Sequence, residues 1–186
     1  MEIKDFYKIK RGDKETFNAL FNEYYPTLFN YAYNLLENKE LAEEIILDVF
    51  THIWINRKKI TIKTSIRNYL IISVRNKIFH YWRKKKILTQ CLKNIEISDN
   101  STPEQNLIHS DEQKKVNQIL QLIPYRSREI FILHKYNGLK YKEIAELLHI
   151  SVNTVENHIV KALKILRKYY ENKKGLSSSD SPSEKR

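Results

Sequence analysis

Residues 138–168 read Gly-Leu-Lys-Tyr-Lys-Glu-Ile-Ala-Glu-Leu-Leu-His-Ile-Ser-Val-Asn-Thr-Val-Glu-Asn-His-Ile-Val-Lys-Ala-Leu-Lys-Ile-Leu-Arg-Lys. Two runs of apolar residues with the 3.6-residue spacing of a helix are separated by a break at positions 149–151. The first run consists of Tyr141, Ile144, Ala145 and Leu148, and the second of Val155, Ile159, Ala162, Leu163 and Leu166. Ser151 is a favourable N-cap for the second helix. Two helices joined by so short a break predict a helix-turn-helix.

The outward side of the second helix carries short polar side chains followed by lysines. In a helix-turn-helix, the second helix enters the major groove of DNA with its N-terminal residues on the base edges. Asn can pair with adenine, and Thr can contact the methyl group of thymine. The predicted duplex-contacting residues are Ser151, Asn153, Thr154, Asn157, His158 and Lys161. A helical hairpin packed on another helix is the alternative, and the lack of Glu/Lys pairs on this side disfavours it.

Composition supports a helical, nucleic-acid-binding protein. Three Gly and four Pro in 186 residues are too few for a turn-rich β protein, and long segments of helical periodicity predict an all-α fold. The formal net charge of +11 indicates a polyanionic partner, although charge alone does not separate DNA, RNA and anionic lipid. Cys91 is the only cysteine, which excludes an intrachain disulfide and a cysteine-based zinc site.

Several classes of function are not expected from this sequence. The charged N-terminus lacks the apolar core of a signal peptide, and no run of about 18 apolar residues could span a membrane, so we expect a cytoplasmic protein. Asp48 and His52 form one i, i+4 pair, which is too little for a metal site. No metal, cofactor or catalytic residue is predicted.

The first third of the chain predicts helical scaffolding followed by an unusual helix. Asp13 is expected to cap a first helix, and Pro26 to end or kink it and to open the next one. Asn38 is expected to cap a third helix whose first turns are acidic. This helix also has more apolar side chains than a single row facing the core would contain. Either some of them are exposed for a partner protein, or the helix is buried in the core.

A further helix, capped by Ser65, ends in the basic segment 75–86, which has six Lys or Arg and no acid. Cations interleaved with aromatic rings suit unpaired nucleic acid, because the cations follow the phosphates while the rings stack on exposed bases. The predicted single-strand-binding residues are Arg75, Asn76, Phe79, His80, Trp82 and Arg83. The alternative is a solvated, lysine-rich helix end, which the helix dipole would also favour.

Loss of periodicity divides the chain into two parts. Residues 1–86 are predicted to form one helical domain, 87–111 a flexible linker that includes a Ser-Thr-Pro turn, and 112–170 the helix-turn-helix domain. Residues 171–186 have no apolar content on which to fold and are predicted to be a disordered tail. The chain thus combines a helix-turn-helix for duplex DNA, a basic segment for unpaired strands and a helix suited to a protein partner. Together these features suggest a factor that helps RNA polymerase to open promoters.

Three groups of motifs also resemble the bacterial sigma factors. Leu41 to Phe50, through Trp54, is similar to their polymerase-binding segment, and Val74 to Arg83 to their segment for the minus-ten promoter element. Leu122 to Glu129, Tyr141 to Ala145 and Ser151 to Val155 resemble their domain for the minus-thirty-five element. With just these two domains, the match is to the extracytoplasmic-function group. The chain departs from the family pattern at Leu47, His80 and His149.

The resemblance implies a function and a set of partners. The helix-turn-helix would bind the minus-thirty-five element of promoter DNA, and segment 75–86 would bind the opened strand of the minus-ten element. The residues expected to dock on core RNA polymerase are Asp48, Val49, Phe50, Ile53 and Trp54. Phosphodiester chemistry would belong to the polymerase. The family often has an anti-sigma partner, so such a protein is a further candidate partner.

Two rival functions come from other classes. A regulator that binds its operator alone through the same helix-turn-helix would leave segment 75–86 and the acidic helix without a task. A nuclease or other metal enzyme would need convergent carboxylates or histidines, which the sequence does not offer.

Overall fold

The computed structural model describes the backbone of residues 3–62, 65–92 and 111–177, and the side chains of 3–62, 65–85 and 115–172. This part of the chain forms eight helices and no strand, which confirms the predicted all-α fold. The chain divides into two compact units, residues 1–108 and 109–186, each with its own core.

The first unit contains four helices: α1 (Ile3–Lys10), α2 (Lys14–Leu36), α3 (Lys39–Asn56) and α4 (Ile66–Leu92). Helix α2 packs against the other three, and α3 packs against α4. The core is formed by apolar side chains that follow the helical period, among them Leu20, Leu28, Ile46, Ile53, Leu70 and Ile78. The short α1 was not predicted; it is held by the burial of Phe6 and Ile9.

The predicted N-caps of this unit are confirmed. The carboxylate of Asp13 accepts hydrogen bonds from the backbone N–H groups of Glu15 and Thr16, at 3.0 and 3.4 Å. The side chain of Asn38 accepts one from the N–H of Leu41 at 2.7 Å. The hydroxyl of Ser65 accepts one from the N–H of Asn68 at 3.0 Å. Each cap satisfies N–H groups that have no partner inside their helix.

The predicted break at Pro26 is wrong, because α2 runs without interruption from Lys14 to Leu36. Proline removes one backbone hydrogen bond and usually kinks or ends a helix. Here its ring lies on the exposed side, while Leu20, Leu28 and Tyr31 are fully buried on the other side. Burial of side chains before and after Pro26 outweighs the tendency of proline to end a helix. One helix therefore forms where the sequence indicated two.

The second unit contains α5 (Asp111–Gln121), α6 (Tyr125–Lys135), α7 (Tyr141–Leu148) and α8 (Val152–Ser177). Helix α8 packs against the other three. Its inward row is Val155, Ile159 and Ala162, as predicted, but Leu163 is 43% exposed and Leu166 is half-buried. The prediction for Leu163 is therefore wrong. Beyond Ala162, fewer neighbouring side chains cover the helix.

Two predicted domain boundaries also differ from the structure. Helix α4 continues to Leu92, six residues into the predicted linker 87–111, and α8 continues to Ser177, past the predicted end of the domain at 170. The α4 extension, Ile-Leu-Thr-Gln-Cys-Leu, contains no Lys or Arg, and the α8 extension contains two Lys. Each prolongs a helix whose earlier turns are already buried. The remainder of the linker, residues 93–110, and of the tail, residues 178–186, lies outside the described residues.

Candidate nucleic-acid interface

The turn between α7 and α8 is built by His149 and Ser151. His149 has a left-handed conformation, with φ of 52°, and its N–H bonds to the carbonyls of Ala145 and Glu146, which ends α7. The hydroxyl of Ser151 accepts a hydrogen bond from the N–H of Thr154 at 3.0 Å and lies 2.8 Å from its Oγ1. Ala145 is buried, and α7 packs against α8. The predicted helix-turn-helix is confirmed in its turn, its cap and its helix contact.

The outer side of α8 presents most of the residues predicted to contact a duplex. Ser151, Asn153, Asn157 and Lys161 are exposed, whereas Thr154 is half-buried and bonded to Ser151. The same side continues with the exposed Lys168, which was predicted to lie on the outward side but not to contact DNA. It also carries the exposed Val160 and Lys164, which were not predicted. The signal for these residues was the helical period itself, because positions 157, 161, 164 and 168 fall on one side of a helix.

His158 differs from the other predicted contacts because its ring turns toward α6. Its Nδ1 lies 2.9 Å from the hydroxyl oxygen of Ser127, and the side chain is half-buried. Burial, and then the nearby charges of Arg126 and Lys161, hold the pKa of this imidazole below its usual 6.5. His158 is therefore neutral at pH 7 and is already engaged within the protein.

The start of α6 lies beside this contact. Arg126 pairs with the carboxylate of Glu129 at 2.7 Å, and the Glu129 side chain is fully buried while that of Arg126 is 35% exposed. A buried carboxylate needs such a partner because an unpaired charge in the core is costly. Arg126 is thereby fixed close to the surface of α8.

The aromatic and basic side chains of α4 form a compact cluster, which we call the α4 cluster: Arg75, Phe79 and Trp82. The guanidinium carbon of Arg75 lies 4.5 Å from the centre of the Phe79 ring, a cation–π contact. The rings of Phe79 and Trp82 meet edge to face, with centroids 5.7 Å apart. All three side chains are half-buried, and the predicted Arg83 is exposed one turn beyond Phe79. Three of the residues predicted from the sequence, Arg75, Phe79 and Trp82, therefore lie in contact with one another.

Asn76 and His80, which were predicted to belong with these residues, lie on a different side of α4. Both are exposed and line a cleft of about 350 Å³ between α3 and α4, together with His52, Ser73 and Lys77. Lys77 bonds across this cleft to Asp48 of α3 at 2.6 Å. The six predicted single-strand contacts are thus divided between the α4 cluster with Arg83 and the cleft.

Three of the five predicted polymerase contacts are core residues. Val49, Phe50 and Ile53 are each at most 2% exposed, and the Phe50 ring packs on Phe21 with centroids 4.8 Å apart. Their side chains cannot touch a partner protein, so this part of the prediction is corrected. Of the two alternatives for the apolar excess of α3, burial holds for these three residues.

The exposed side of α3 still carries apolar surface. Leu47 is 52% exposed and Ile55 is 68% exposed, on one side of the helix with Glu44 and Thr51. We call Glu44, Leu47, Thr51 and Ile55 the α3 face. Asp48 is exposed beside it, and Trp54 is half-buried under the guanidinium of Arg57. Leu47 and Ile55 were not among the predicted contacts, because apolar residues occur on every side of this helix.

Two properties of the described residues bear on the class of site. Among these residues, no group of three or more His, Cys, Asp or Glu side chains is placed to hold a metal ion. In the same part of the chain, no helix is both long and apolar enough to cross a membrane.

Comparison with known proteins gives two family matches in chain order. Residues 20–87 match Sigma-70 region 2, and residues 113–166 match Sigma-70 region 4. The first match covers most of α2 through α4, including the α3 face and the α4 cluster. The second covers the helix-turn-helix and its contact with α6.

Several curated relatives match over most of their length. The chain is 24% identical to the ECF RNA polymerase sigma factor SigW of Bacillus subtilis, covering 89% of this chain and 94% of the relative. It is 28% identical to the RNA polymerase sigma factor SigV of the same organism, covering 78% and 82%. It is 22% identical to the ferric citrate uptake sigma factor FecI of Escherichia coli, covering 80% and 87%.

Two solved structures share the fold. The sigma factor RpoE of Bartonella quintana, solved in complex with the anti-sigma factor NepR, matches with a TM-score of 0.67 at 19% identity, covering 83% of this chain and 96% of that one. CnrH, solved with the cytosolic domain of CnrY, matches with a TM-score of 0.64 at 19% identity, covering 95% and 97%. Taken with the two family matches, which together span more than half of the sequence, these findings show that the chain belongs to the sigma-70 family of RNA polymerase sigma factors, in its extracytoplasmic-function group.

Proposed function

We propose that this chain binds core RNA polymerase, directs it to specific promoters and assists promoter melting, with the tasks divided among three surfaces. The observation that carries this proposal is the presence of Sigma-70 regions 2 and 4 in one chain. The stand-alone regulator is not favoured, because it would use only the second of these regions.

The outer side of α8 is proposed to read the upstream promoter duplex. Asn153 and Asn157 are exposed near its N-terminal end, where a recognition helix meets base edges. Lys161 and Lys164 follow on the same side, where they suit the phosphate backbone. Short polar residues followed by cations thus divide this side into a base-reading part and a phosphate-binding part.

The α4 cluster is proposed to hold the opened strand of the downstream element. Phe79 and Trp82 offer ring surface, and Arg75 and Arg83 offer positive charge. Stacking of a base on an aromatic ring contributes about 1–3 kcal/mol, which offsets part of the cost of unpairing it, a few kcal/mol. Asn76 and His80 are proposed to contact the same strand where it passes the cleft.

The α3 face is proposed to dock on core polymerase, together with Asp48 and Trp54. Leu47 and Ile55 are exposed apolar side chains surrounded by polar ones, an arrangement typical of the centre and rim of a protein interface. The predicted contacts Val49, Phe50 and Ile53 contribute indirectly, because their burial holds α3 against α2 and α4.

Two further properties follow from this function. The chain supplies no catalytic group of its own, since bond formation belongs to the polymerase, and it works in the cytoplasm, where core polymerase and promoters are. An anti-sigma partner is also proposed, on the ground that the similar RpoE was solved with the anti-sigma factor NepR.

The test is transcription by reconstituted holoenzyme. Core polymerase with the full chain should initiate at a discrete set of genomic fragments, and core polymerase alone should not. The matched control is the chain without polymerase, mixed with duplexes of those fragments at the same salt concentration. Tight, sequence-specific binding by the isolated chain, with no initiation when polymerase is present, would identify a stand-alone regulator instead.

A further inference from the structure

A hydrogen bond between two side chains joins α6 to the recognition helix α8 near the proposed duplex-binding surface. Ser127 and His158 are 31 residues apart, and Ser127 Oγ lies 2.9 Å from His158 Nδ1. Ser127 is 1% exposed, so its hydroxyl needs a partner within the protein. The imidazole of His158 is that partner.

The position of His158 on α8 makes this contact sensitive to rotation of the helix. His158 lies between the buried Val155 and Ile159 on one side and the exposed Asn157 and Lys161 on the other. Apolar packing along Val155 and Ile159 is non-directional, whereas a hydrogen bond requires a defined distance and angle. A bond at the edge of the packed row therefore fixes how far α8 is turned about its axis.

The charges around His158 favour its neutral form. Arg126 of α6 and Lys161 of α8 are the charged groups that lower its pKa, after burial. The carboxylate of α6, Glu129, is already paired with Arg126. Among the described side chains of α5 and α7, the other helices packed against α8, no charged group shifts this pKa. A proton on His158 would add a third cation beside Arg126 and Lys161.

We propose that His158 is a positioning residue rather than a DNA contact, and that its bond to Ser127 sets the orientation in which α8 presents Asn153 and Asn157 to base edges. This inference rests on the proposed function. It also revises the prediction from the sequence, in which His158 was one of the side chains touching DNA.

The experiment uses holoenzyme and a genomic promoter fragment that it transcribes in vitro, compared with a fragment of equal length that it does not transcribe. Ser127→Ala and His158→Ala should each lower the affinity for the promoter fragment about three- to tenfold, the range expected for one neutral hydrogen bond. The double variant should lose no more than His158→Ala alone, because both changes remove the same bond. Affinity for the second fragment should be unchanged, since orientation matters only for base readout.

A conservative variant and a pH series complete the test. His158→Asn, whose amide can reach the Nδ1 position and does not titrate, should retain most of the affinity. Between about pH 8 and about pH 6, a range that spans the ordinary histidine pKa, wild-type binding should weaken relative to His158→Asn. The sign follows because the pKa of the engaged imidazole is lowered, so protonation favours the released form as the pH falls below 6.5.

The opposite results would overturn the inference. If His158 touched a phosphate, wild-type affinity would rise relative to His158→Asn at low pH, Ser127→Ala would have little effect, and both fragments would be affected equally. If the losses of the two single variants multiplied, the residues would act separately. Failure of the proposed function would look different, because wild-type holoenzyme would then transcribe no fragment at all.

Discussion

At the scale of single residues, two helix ends have conformations that suit glycine better than the residues present. Glu37 ends α2 with φ of 57°, and His149 ends α7 with φ of 52°. The left-handed region costs an ordinary L-residue about 1–2 kcal/mol, and glycine about nothing. For His149 the resemblance to the sigma factors was a signal, because glycine is common at this position in the family pattern. No sequence signal marked Glu37.

Glu37→Gly is expected to stabilise the first unit. The relief of backbone strain, reduced by the greater entropy of an unfolded glycine, should raise the free energy of unfolding by about 0.5–1 kcal/mol. Denaturant unfolding followed by circular dichroism measures it. The control is Gly138→Ala, which places a Cβ at φ of 64° with no other atom within 4 Å and should cost about 1 kcal/mol through backbone strain alone. Loss of stability in Glu37→Gly would mean that its side-chain contacts outweigh the strain.

Asn157 is expected to read a base edge. Asn157→Ala should cost about 1–3 kcal/mol at one preferred base pair and little when that pair is already changed. Binding of holoenzyme to a series of singly substituted promoter fragments would measure it. Lys164→Ala, about two turns further along the same side, is the matched control and should weaken binding to all fragments alike, with a shallower salt dependence. A uniform loss for Asn157→Ala would make it a backbone contact.

At the scale of helices, what the sequence could predict depended on how clearly each helix was amphipathic. Helix α8 has one polar side, so its inward row and most of its outward residues could be identified. Helix α3 has apolar residues all round, and periodicity cannot then say which of them are buried. Val49, Phe50 and Ile53 are buried because α2 and α4 cover them, whereas Leu47 and Ile55 are not covered. Which residues of α3 are buried depends on how α2 and α4 pack against it, and the sequence of α3 alone does not predict that packing.

The two sides of α3 should therefore respond differently to substitution. Leu47→Ser with Ile55→Ser should weaken binding to core polymerase, measured by competition with labelled wild-type chain, while leaving thermal stability within a few degrees of wild type. Phe50→Ala should instead remove a buried ring and destabilise the first unit by about 3–5 kcal/mol. If the exposed pair had no effect on polymerase binding, the α3 face would not be the docking surface.

Helix α4 also presents two different sides, which separate variants can distinguish. Phe79→Ala with Trp82→Ala should slow promoter opening, measured by permanganate reactivity of unpaired thymines, and should spare polymerase binding, because the α3 face is intact. A pre-melted template should restore activity. Asn76→Ala with His80→Ala, on the cleft side, is the comparison and should have a smaller effect, since it removes no ring. Equal impairment on the pre-melted template would assign Phe79 and Trp82 a structural role.

At the scale of the whole molecule, the order of the elements was predictable and their ends were not. Two helical units were evident from periodicity, and net charge of +11 indicated the partner class. The end of α8 at Ser177 was missed because residues 171–177 are mostly polar, and the end of α4 at Leu92 because the predicted domain ended at the lysine run 84–86. Helix propagation adds one hydrogen bond per residue once a nucleus exists, so such ends extend further than apolar periodicity indicates.

Because the two units bind different parts of the promoter, we expect initiation to depend on the covalent connection between them. Residues 1–92 and 111–186, produced as separate chains, should each keep their helix content by circular dichroism, because each unit has its own buried core. Mixed with core polymerase at micromolar concentration, they should initiate transcription about 10²- to 10⁴-fold less than the intact chain, since a tether supplies an effective concentration in the millimolar range. Replacing the intervening segment by a Gly/Ser tether of equal length should restore most initiation, because the tether acts through proximity rather than sequence. Full activity from the separate chains would show that polymerase holds each unit tightly enough alone.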